Sequence, residues 1–264
     1  MTATPDANEA AQKNLESFTR RAGNFTQKTG GQTLVPLREV LEGIAFPAGG
    51  WAADFGIGTG NSAIPFIEAG GRVIGVDITP AMALTGKKRL ADEGLGHGAH
   101  FTIALCEQTP IPDAAVDCAI CRNVFHHLAN PDDVVREMSR VVRPGGHVIV
   151  MDHCYPDSDV ERARIEEIDH IREPEMVRIL SPKDFRGIYA ACGLEVTEVE
   201  TMNRRDTFDN WISGAETGEA TIREVREGVE RLRDEGGESW LLPEGEGDDL
   251  SLLRWDAIVV GKKL

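Results

Sequence analysis

Residues 54–60 read DFGIGTG, with glycine at 56, 58 and 60, directly after the apolar run Gly50-Trp51-Ala52-Ala53. Glycine lacks a Cβ, tolerates φ > 0 and lets another group come close to the backbone, yet it loses more chain entropy on folding than any other residue. Three of them at alternate positions therefore predict a turn held against a ligand or another backbone. The preceding WAADF (51–55) reads as a short buried strand and residues 61–69 as a helix, so the glycines occupy a strand-to-helix turn.

Outward from this turn, short apolar strands alternate with amphipathic helices as far as residue 152. RVIGVD (72–77) precedes a helix at 80–93; HFTIAL (100–105) and DCAIC (117–121) follow; a helix at 131–142 leads into HVIVMD (147–152). This rhythm predicts a parallel sheet covered on both faces and joined by right-handed crossovers. Thr79-Pro80 and Asn130-Pro131 each place a capping side chain before a proline at the first helical position, and Gly94 can close the first of these helices. Asp132 and Asp133 suit the positive end of the second helix and Arg140 and Arg143 its negative end, with Val134, Val135, Met138, Val141 and Val142 on one face.

Upstream, residues 8–45 read as one or two helices, with Leu15, Phe18, Ala22 and Phe25 near helical spacing, then Leu34, Leu37, Val40, Leu41 and Ile44 after Gly30-Gly31. Downstream, a charged helix spans 158–172, Ser181-Pro182-Lys183-Asp184 opens a second as a capping box, and LEVTEVE (194–200) is a strand. Residues 219–235 form a helix carrying Ile222, Val225, Val229 and Leu232, and WDAIVVGK (255–262) is the last strand. Two closing strands with a helical excursion between them predict a hairpin-like sheet edge and a cap over one end. The division expected is an N-terminal cover (1–45), a ligand-binding core (46–152) and a cap with the last two strands (153–264).

The chain of 264 residues carries 28 basic and 44 acidic residues, a net charge of −16, and residues 151–264 hold 28 of the acids against 15 basic residues. Such a field repels nucleic acid and anionic lipid, so neither is an expected partner, although a merely solubilising surface has the same composition. No run is long enough to span a bilayer and the start, MTATPDANEA, lacks the order of a secretory signal, so the expected compartment is the cytoplasm. Cysteines at 106, 118, 121, 154 and 192 form no paired framework and are expected as free thiols.

Ligands of an open parallel sheet bind outside the carboxyl ends of its strands, where a following helix presents unpaired N–H groups. The glycine turn lies at such an address. Its spacing, G-x-G-x-G with Asn61 next, is not the dinucleotide pattern G-x-G-x-x-G, and no Lys-Ser/Thr of a phosphate loop follows. Asp54 precedes the glycines, and Asp77 closes the second strand, where a carboxylate can accept both hydrogen bonds of a ribose diol.

These segments resemble the class I S-adenosylmethionine-dependent methyltransferases, most closely the small-molecule branch typified by ubiquinone/menaquinone-biosynthesis methyltransferases. WAADFGIGTGNSAIPFIEAGGRVIGVDITPAMA and PIPDAAVDCAICRNVFHHLANPDDVVREMSRVVRPGGHVIVMD carry the likeness, with LSPKDFRGIYAACGLEV weaker, over about residues 35–200. The resemblance implies an α/β, Rossmann-like sheet of seven mainly parallel strands with an antiparallel last strand, helices on both faces and a helical cap. It implies S-adenosyl-L-methionine as cofactor, with Asp54, Gly56, Gly58 and Gly60 beneath it, Asp77 on its ribose, Ile78 and Met82 flanking adenine, and Arg122 and Asn123 near its methionine end. Where the family has an acid for the adenine amino group, this chain has Leu105-Cys106-Glu107; leucine accepts no hydrogen bond, so either Glu107 or Gln108 substitutes or the adenine end is read by shape alone, and Cys106 and Glu107 complete the expected set. The partner implied is a small-molecule acceptor, cyclic or aromatic, methylated at oxygen or carbon; oligomeric state is left open, a homodimer included.

Methyl transfer from a sulfonium needs alignment, exclusion of water and, for some acceptors, removal of a proton. His126, His127 and His153 lie past strand ends and are the expected catalytic candidates, with His153 foremost because it follows HVIVMD at the mouth; His127 has a bracing role as its plainer reading. His170 lies in the cap. Cys118 and Cys121 resemble half a zinc site, but residues three apart on a strand face opposite ways and no second pair follows, so no metal is expected. Arg172 and Arg178 flank Pro174 and are read as ion-pair partners, with acceptor recognition as the second reading, and Phe208 and Trp211 either wall a pocket or dock the cap. A nicotinamide-dependent oxidoreductase and a non-catalytic cofactor-binding subunit are the alternatives.

Overall fold

A computed structural model describes residues 6–23, 34–213, 218–235 and 240–264. Strands β1 (Trp51–Phe55), β2 (Arg72–Asp77), β3 (Ala99–Ile103), β4 (Val116–Arg122), β5 (Val142–His153), β6 (Leu194–Thr207) and β7 (Ser251–Lys263) form one sheet in the order β3-β2-β1-β4-β5-β7-β6. The first five are parallel, and β7 pairs antiparallel with both β5 and β6. The architecture implied by the sequence resemblance is the one observed. Chain order reverses between β1 and β4, which opens a crevice past their carboxyl ends.

The helices described are α1 (Ala7–Arg21), α2 (Val35–Gly43), α3 (Ala63–Glu68), α4 (Pro80–Asp92), α5 (Pro131–Val141), α6 (Asp159–Arg172), α7 (Pro182–Ala191), α8 (Phe208–Ser213) and α9 (Glu219–Asp234). Alternate strand residues serve opposite faces. Ala53, Ala119, Cys121, Val148 and Val150 pack with Val134, Met138, Phe185 and Tyr189 from α5 and α7. Ala52, Cys118, Ile120 and Ile149 pack with Leu37, Leu41, Phe66 and Leu90 from α2, α3 and α4. Cys118 and Cys121 thus sit in different cores, and all five cysteines are free. A third core gathers Ile165, Ile168, Phe208, Trp211, Val225 and Val229 from α6, α8 and α9 into the cap. No helix among the described residues is long and apolar enough to cross a membrane.

Several local expectations are corrected. Strand β6 runs seven residues beyond LEVTEVE to Thr207 because β7 pairs with it along its whole length, and the polar run TMNRRD hides this in the sequence. Strand β5 starts at Val142, directly at the end of α5, rather than at His147. Neither Thr79 nor Asn130 caps its helix with its side chain. On α1 the buried face is Ala10, Asn14, Ser17 and Arg21, while Leu15 and Phe18 are only half-buried; Phe25 lies outside the described residues. The expected capping box at Ser181 is formed, with Ser181 and Asp184 each bonding the other's backbone N–H.

Candidate active site

A cavity of about 1050 Å³ lies over the carboxyl ends of β1, β2, β4 and β5 and continues beneath α1 and the cap. At one end the glycine turn forms its floor. The amides of Gly56 and Ile57 donate to the Val76 carbonyl at 2.8 and 3.0 Å, which fixes the turn to β2. Gly56 and Gly58 have φ of 73° and 52°, and a Cβ on Gly56 would lie 2.4 Å from Val124, so the turn admits no side chain there. From α4, Gly86 approaches so closely that its Cβ would meet the Gly58 carbonyl at 2.6 Å.

Asp77 ties this floor together. One carboxylate oxygen accepts from the Gly58 amide at 2.8 Å and the other from the Thr79 amide at 2.7 Å, leaving lone pairs on both for a ligand's hydroxyls. Burial pushes its carboxyl up, and the Thr79 and Gly58 amides and the Thr79 hydroxyl pull it back. That hydroxyl is the one absent from the α4 cap. Ile78, Met82, Cys106, Glu107, Arg122 and Asn123 all reach the cavity wall; burial raises the Glu107 carboxyl and lowers the Arg122 guanidinium, the latter against the pull of Asp54. Asn123 holds φ of 55°, a conformation that asparagine tolerates better than most residues.

Asp54 and Gly60 depart from the expected set, since neither lines the cavity. Gly60 packs against Leu90, where a Cβ would lie 2.9 Å from the leucine. Asp54 is fully buried beneath the turn, where Arg122 and the Ser62 hydroxyl act on its carboxylate. Burial drives its pKa to about 7, opposed by Arg122 and reinforced by Asp77. The turn is thus supported by a carboxyl from behind rather than lined by it. Asn61, where a dinucleotide fingerprint needs glycine, accepts a hydrogen bond from the Arg89 guanidinium.

The other end is made of ionisable side chains from distant parts of the chain. Asp152, at the tip of β5, accepts from the amides of Val124 and Phe125 at 2.8 and 2.6 Å and from His126 Nδ1 at 2.6 Å. Burial raises the Asp152 carboxyl, but His126 and His153 outweigh it and leave it below its usual range. Burial likewise opposes charge on His126, and the Asp152 carboxylate overcomes it, leaving that imidazole more basic than usual. His127 is driven the other way, to about 3, by burial and by its neighbour His126. The two rings lie 4.1 Å apart, and His153 lies 5.2 Å from His126.

His153, the foremost candidate base, has both ring nitrogens engaged. Its Nδ1 lies 2.6 Å from Asp256, and its Nε2 lies 3.2 Å from Arg254, whose guanidinium can only donate. The network therefore assigns the proton to Nδ1 and the Nε2 lone pair to Arg254, which leaves no free nitrogen for a substrate proton. His170 lies off the cavity wall, with its Nδ1 2.8 Å from the Glu166 carbonyl.

Arg172 forms the ion pairs expected of it, to Asp169 and Glu173 at 3.0 Å each, with Tyr155 donating to Asp169 at 2.5 Å. Trp211 walls the cavity beneath Arg172 while also packing in the cap core, so both readings of it hold. From α1, Asn14 donates to the His127 carbonyl at 3.0 Å, and Ser17 and Arg21 donate to Glu175 at 2.6 and 2.7 Å. Sequence reading missed Asn14, Ser17, Arg21, Glu173, Glu175, Arg254 and Asp256. The signal available was a polar stripe at helical spacing on α1 and the charge-dense run REPE (172–175) around a proline.

Residues 53–150 match the family described as "Methyltransferase domain". The chain is 25% identical over 189 residues to "Uncharacterized methyltransferase YcgJ" of Bacillus subtilis, covering 72% of this chain and 74% of that one. A solved structure of the YcgJ protein superposes with a TM-score of 0.78 at 22% identity, over 86% of this chain and 97% of that one. Over 116 residues the chain is 32% identical to "Ubiquinone/menaquinone biosynthesis C-methyltransferase UbiE" of Hahella chejuensis, covering 43% of this chain and 47% of that enzyme. A structure described as geranyl diphosphate methyltransferase in complex with S-adenosylmethionine shares the fold with a TM-score of 0.59 at 17% identity, over 87% of this chain and 85% of that one. Fold, turn and matches together make residues 53–150 a methyltransferase domain, on a sheet whose fold is shared with S-adenosylmethionine-dependent methyltransferases.

Proposed function

We propose that the protein methylates an oxygen or carbon of a small cyclic or aromatic metabolite, held between α1, the His126–Glu173 network and the far end of β6 and β7. The observation that carries this reading is the single continuous cavity, which joins the glycine turn to the ionisable network and has room for a nucleoside-sized cofactor and a small acceptor together. When bound, the cofactor supplies an electrophilic methyl group on a positively charged sulfur. In this reading residues 46–152 hold the cofactor, while 1–45 and 153–264 cover the acceptor.

The chain's own groups then have distinct tasks. Asp77 receives the ribose hydroxyls on its remaining lone pairs, Gly56 and Gly58 let the nucleoside lie against bare backbone, and Ile78 and Met82 flank the base beside Cys106 and Glu107. Arg122 and Asn123 border the amino-acid end. Asp54 and Gly60 shape the turn from behind. At the acceptor end, α1 and the cap exclude water, and the His126, His127 and Glu173 side chains face an acceptor whose oxygen or carbon gives up a proton. UbiE proteins are named as C-methyltransferases, which supports carbon; the imidazole-lined wall suits a hydroxyl equally.

Thermal shift with S-adenosylhomocysteine, NAD and NADP tests the cofactor half. A ligand at about a hundred times its dissociation constant stabilises by roughly 2.7 kcal/mol. The expected result is a shift with the first ligand alone, abolished by Asp77→Ala; a response to NAD alone would return the nicotinamide alternative. Turnover on a panel of phenols, enolisable ketones and amines tests the acceptor half. Reaction confined to amines would refute the oxygen-or-carbon assignment, and binding without any turnover would favour the non-catalytic subunit.

A further inference from the structure

We propose that His126, His127 and Glu173 form a three-ligand site for a divalent transition-metal ion, of which zinc is the type, opening onto the acceptor end of the cavity. One nitrogen from each imidazole and one carboxylate oxygen lie within 4.8 Å of one another, and all three side chains are buried on the cavity wall. His127 Nε2 already stands 3.8 Å from Glu173 Oε1. This departs from the expectation of no metal, which rested on the cysteines; the cluster uses none of them.

Each ligand is oriented from behind in the way metal ligands require. Asp152 takes the Nδ1 proton of His126 at 2.6 Å, which leaves Nε2 as the coordinating nitrogen. Arg172 holds Glu173 Oε2 at 3.0 Å and leaves Oε1 toward the histidines. The Glu175 carbonyl lies 3.5 Å from His127 Nδ1 on the side away from Glu173 Oε1's contact with Nε2. Arg21 lies 3.6 Å from the same Oε1 but donates to Glu175 at 2.7 Å, so an ion can replace the longer contact without stranding the guanidinium.

Charge agrees with geometry. Around the trio stand the carboxylates of Asp152, Asp169, Glu173 and Glu175 against the guanidiniums of Arg21 and Arg172. Carboxylates thus outnumber guanidiniums around the trio, also with Arg122 acting on Asp152 counted, a balance that favours a bound cation. The adjoining Asp206, Asp256, Arg204 and Arg254 balance one another. Two nitrogens with one carboxylate suit zinc or iron rather than magnesium or calcium, which take oxygen ligands, and three protein ligands leave a position for substrate.

The role of the ion rests on the methyltransferase reading; its binding does not. An acceptor hydroxyl coordinated at the open position loses its proton at neutral pH to the water it displaces on entering. The oxygen lone pair then forms the O–C bond, and the electron pair of the breaking S–C bond returns to sulfur. The favoured acceptor is therefore a phenol or enol.

The test uses the full chain, stripped with a chelator and titrated with Co²⁺ while visible d–d absorption is followed. One equivalent is expected to develop the spectrum, His127→Ala and Glu173→Gln to abolish it while retaining the shift with S-adenosylhomocysteine, and Asp152→Asn to weaken binding about 10–100-fold. His153→Ala, outside the trio, is expected to keep the spectrum. No spectrum in the wild-type chain, or the same spectrum in both ligand variants, overturns the site. Full turnover of a phenol by the chelated enzyme overturns its role and returns proton removal to the His126–Asp152 pair. Loss of the S-adenosylhomocysteine shift from the wild-type chain would instead refute the cofactor reading.

Discussion

At the Gly56–Asp77 end of the cavity, polar contacts run from backbone amides to one carboxylate, and the partners Gly58 and Asp77 are 19 residues apart. At the His126–Glu175 end they run between side chains, and Ser17 and Glu175 are 158 residues apart. A backbone-built surface depends on where the chain turns and on the absence of side chains. A side-chain-built surface depends on charges meeting across the fold, and each loses its function when a single partner is removed. The two ends should therefore fail in different ways, which mutation can test.

The largest effect is expected from Gly56→Val. A side chain there clashes with Val124 at a positive φ, so calorimetry should record loss of S-adenosylhomocysteine affinity of at least about 100-fold, roughly 2.8 kcal/mol, while hydrogen exchange of α1 stays unchanged. Faster exchange in α1 would show that the two ends are one unit. Next comes Glu175→Ala, which removes the acceptor of Ser17 and the shorter ion pair of Arg21. Denaturant unfolding should show a loss of about 2 kcal/mol and α1 should exchange faster, with cofactor affinity changing less than about twofold. A collapse of that affinity would contradict the independence of the ends.

A smaller effect tests another carboxylate on which the cofactor end leans. Glu137 holds the amide and hydroxyl of Thr109, just after Leu105–Glu107, and pairs with Arg140. Burial raises its carboxyl, but Arg140 and Thr109 prevail and lower it overall. A lowered folded pKa means stability fully present above the unfolded value and lost as pH falls through the folded one. Glu137→Gln should thus cost about 1–3 kcal/mol at pH 7, and the gap from wild type should close as pH falls below the ordinary glutamate range, as melting curves across pH would record. The smallest effect is a gain. Leu105→Asp supplies the acceptor this chain lacks beside the expected adenine edge and should tighten S-adenosylhomocysteine by up to about fivefold, near 1 kcal/mol; weaker binding would mean that Leu105 serves by shape.

The same contrast explains what could be read before the fold was known. The glycine turn, the alternating strands and Asp77 are signals confined to a few dozen residues, because crossover connections keep partners close in sequence. Even there, Gly56 and Gly58 line the cavity while Asp54 and Gly60 do not, a distinction that spacing does not reveal. The acceptor end was legible only as isolated letters. His153 follows a strand as a base would, but its engagement by Asp256 and Arg254 depends on β7, about a hundred residues later. The α1 helix was read from its apolar residues, whereas its buried face is polar because it docks on a charged network rather than on a core.

The β6–β7 ribbon carries a consequence of its own. Strand β5 ends its pairing at His153 with Asp256, yet β6 and β7 stay paired from Asn203–Trp255 out to Thr207–Ser251. At about 3.3 Å per residue that overhang is on the order of 15 Å, and it brings Arg204, Asp206 and Arg254 to the cavity wall. A sheet margin has become an arm whose tip can change its letters while the nucleoside grip, four strands away, keeps its shape. Grafting such tips between relatives offers a way to retool acceptor choice on an unaltered chassis.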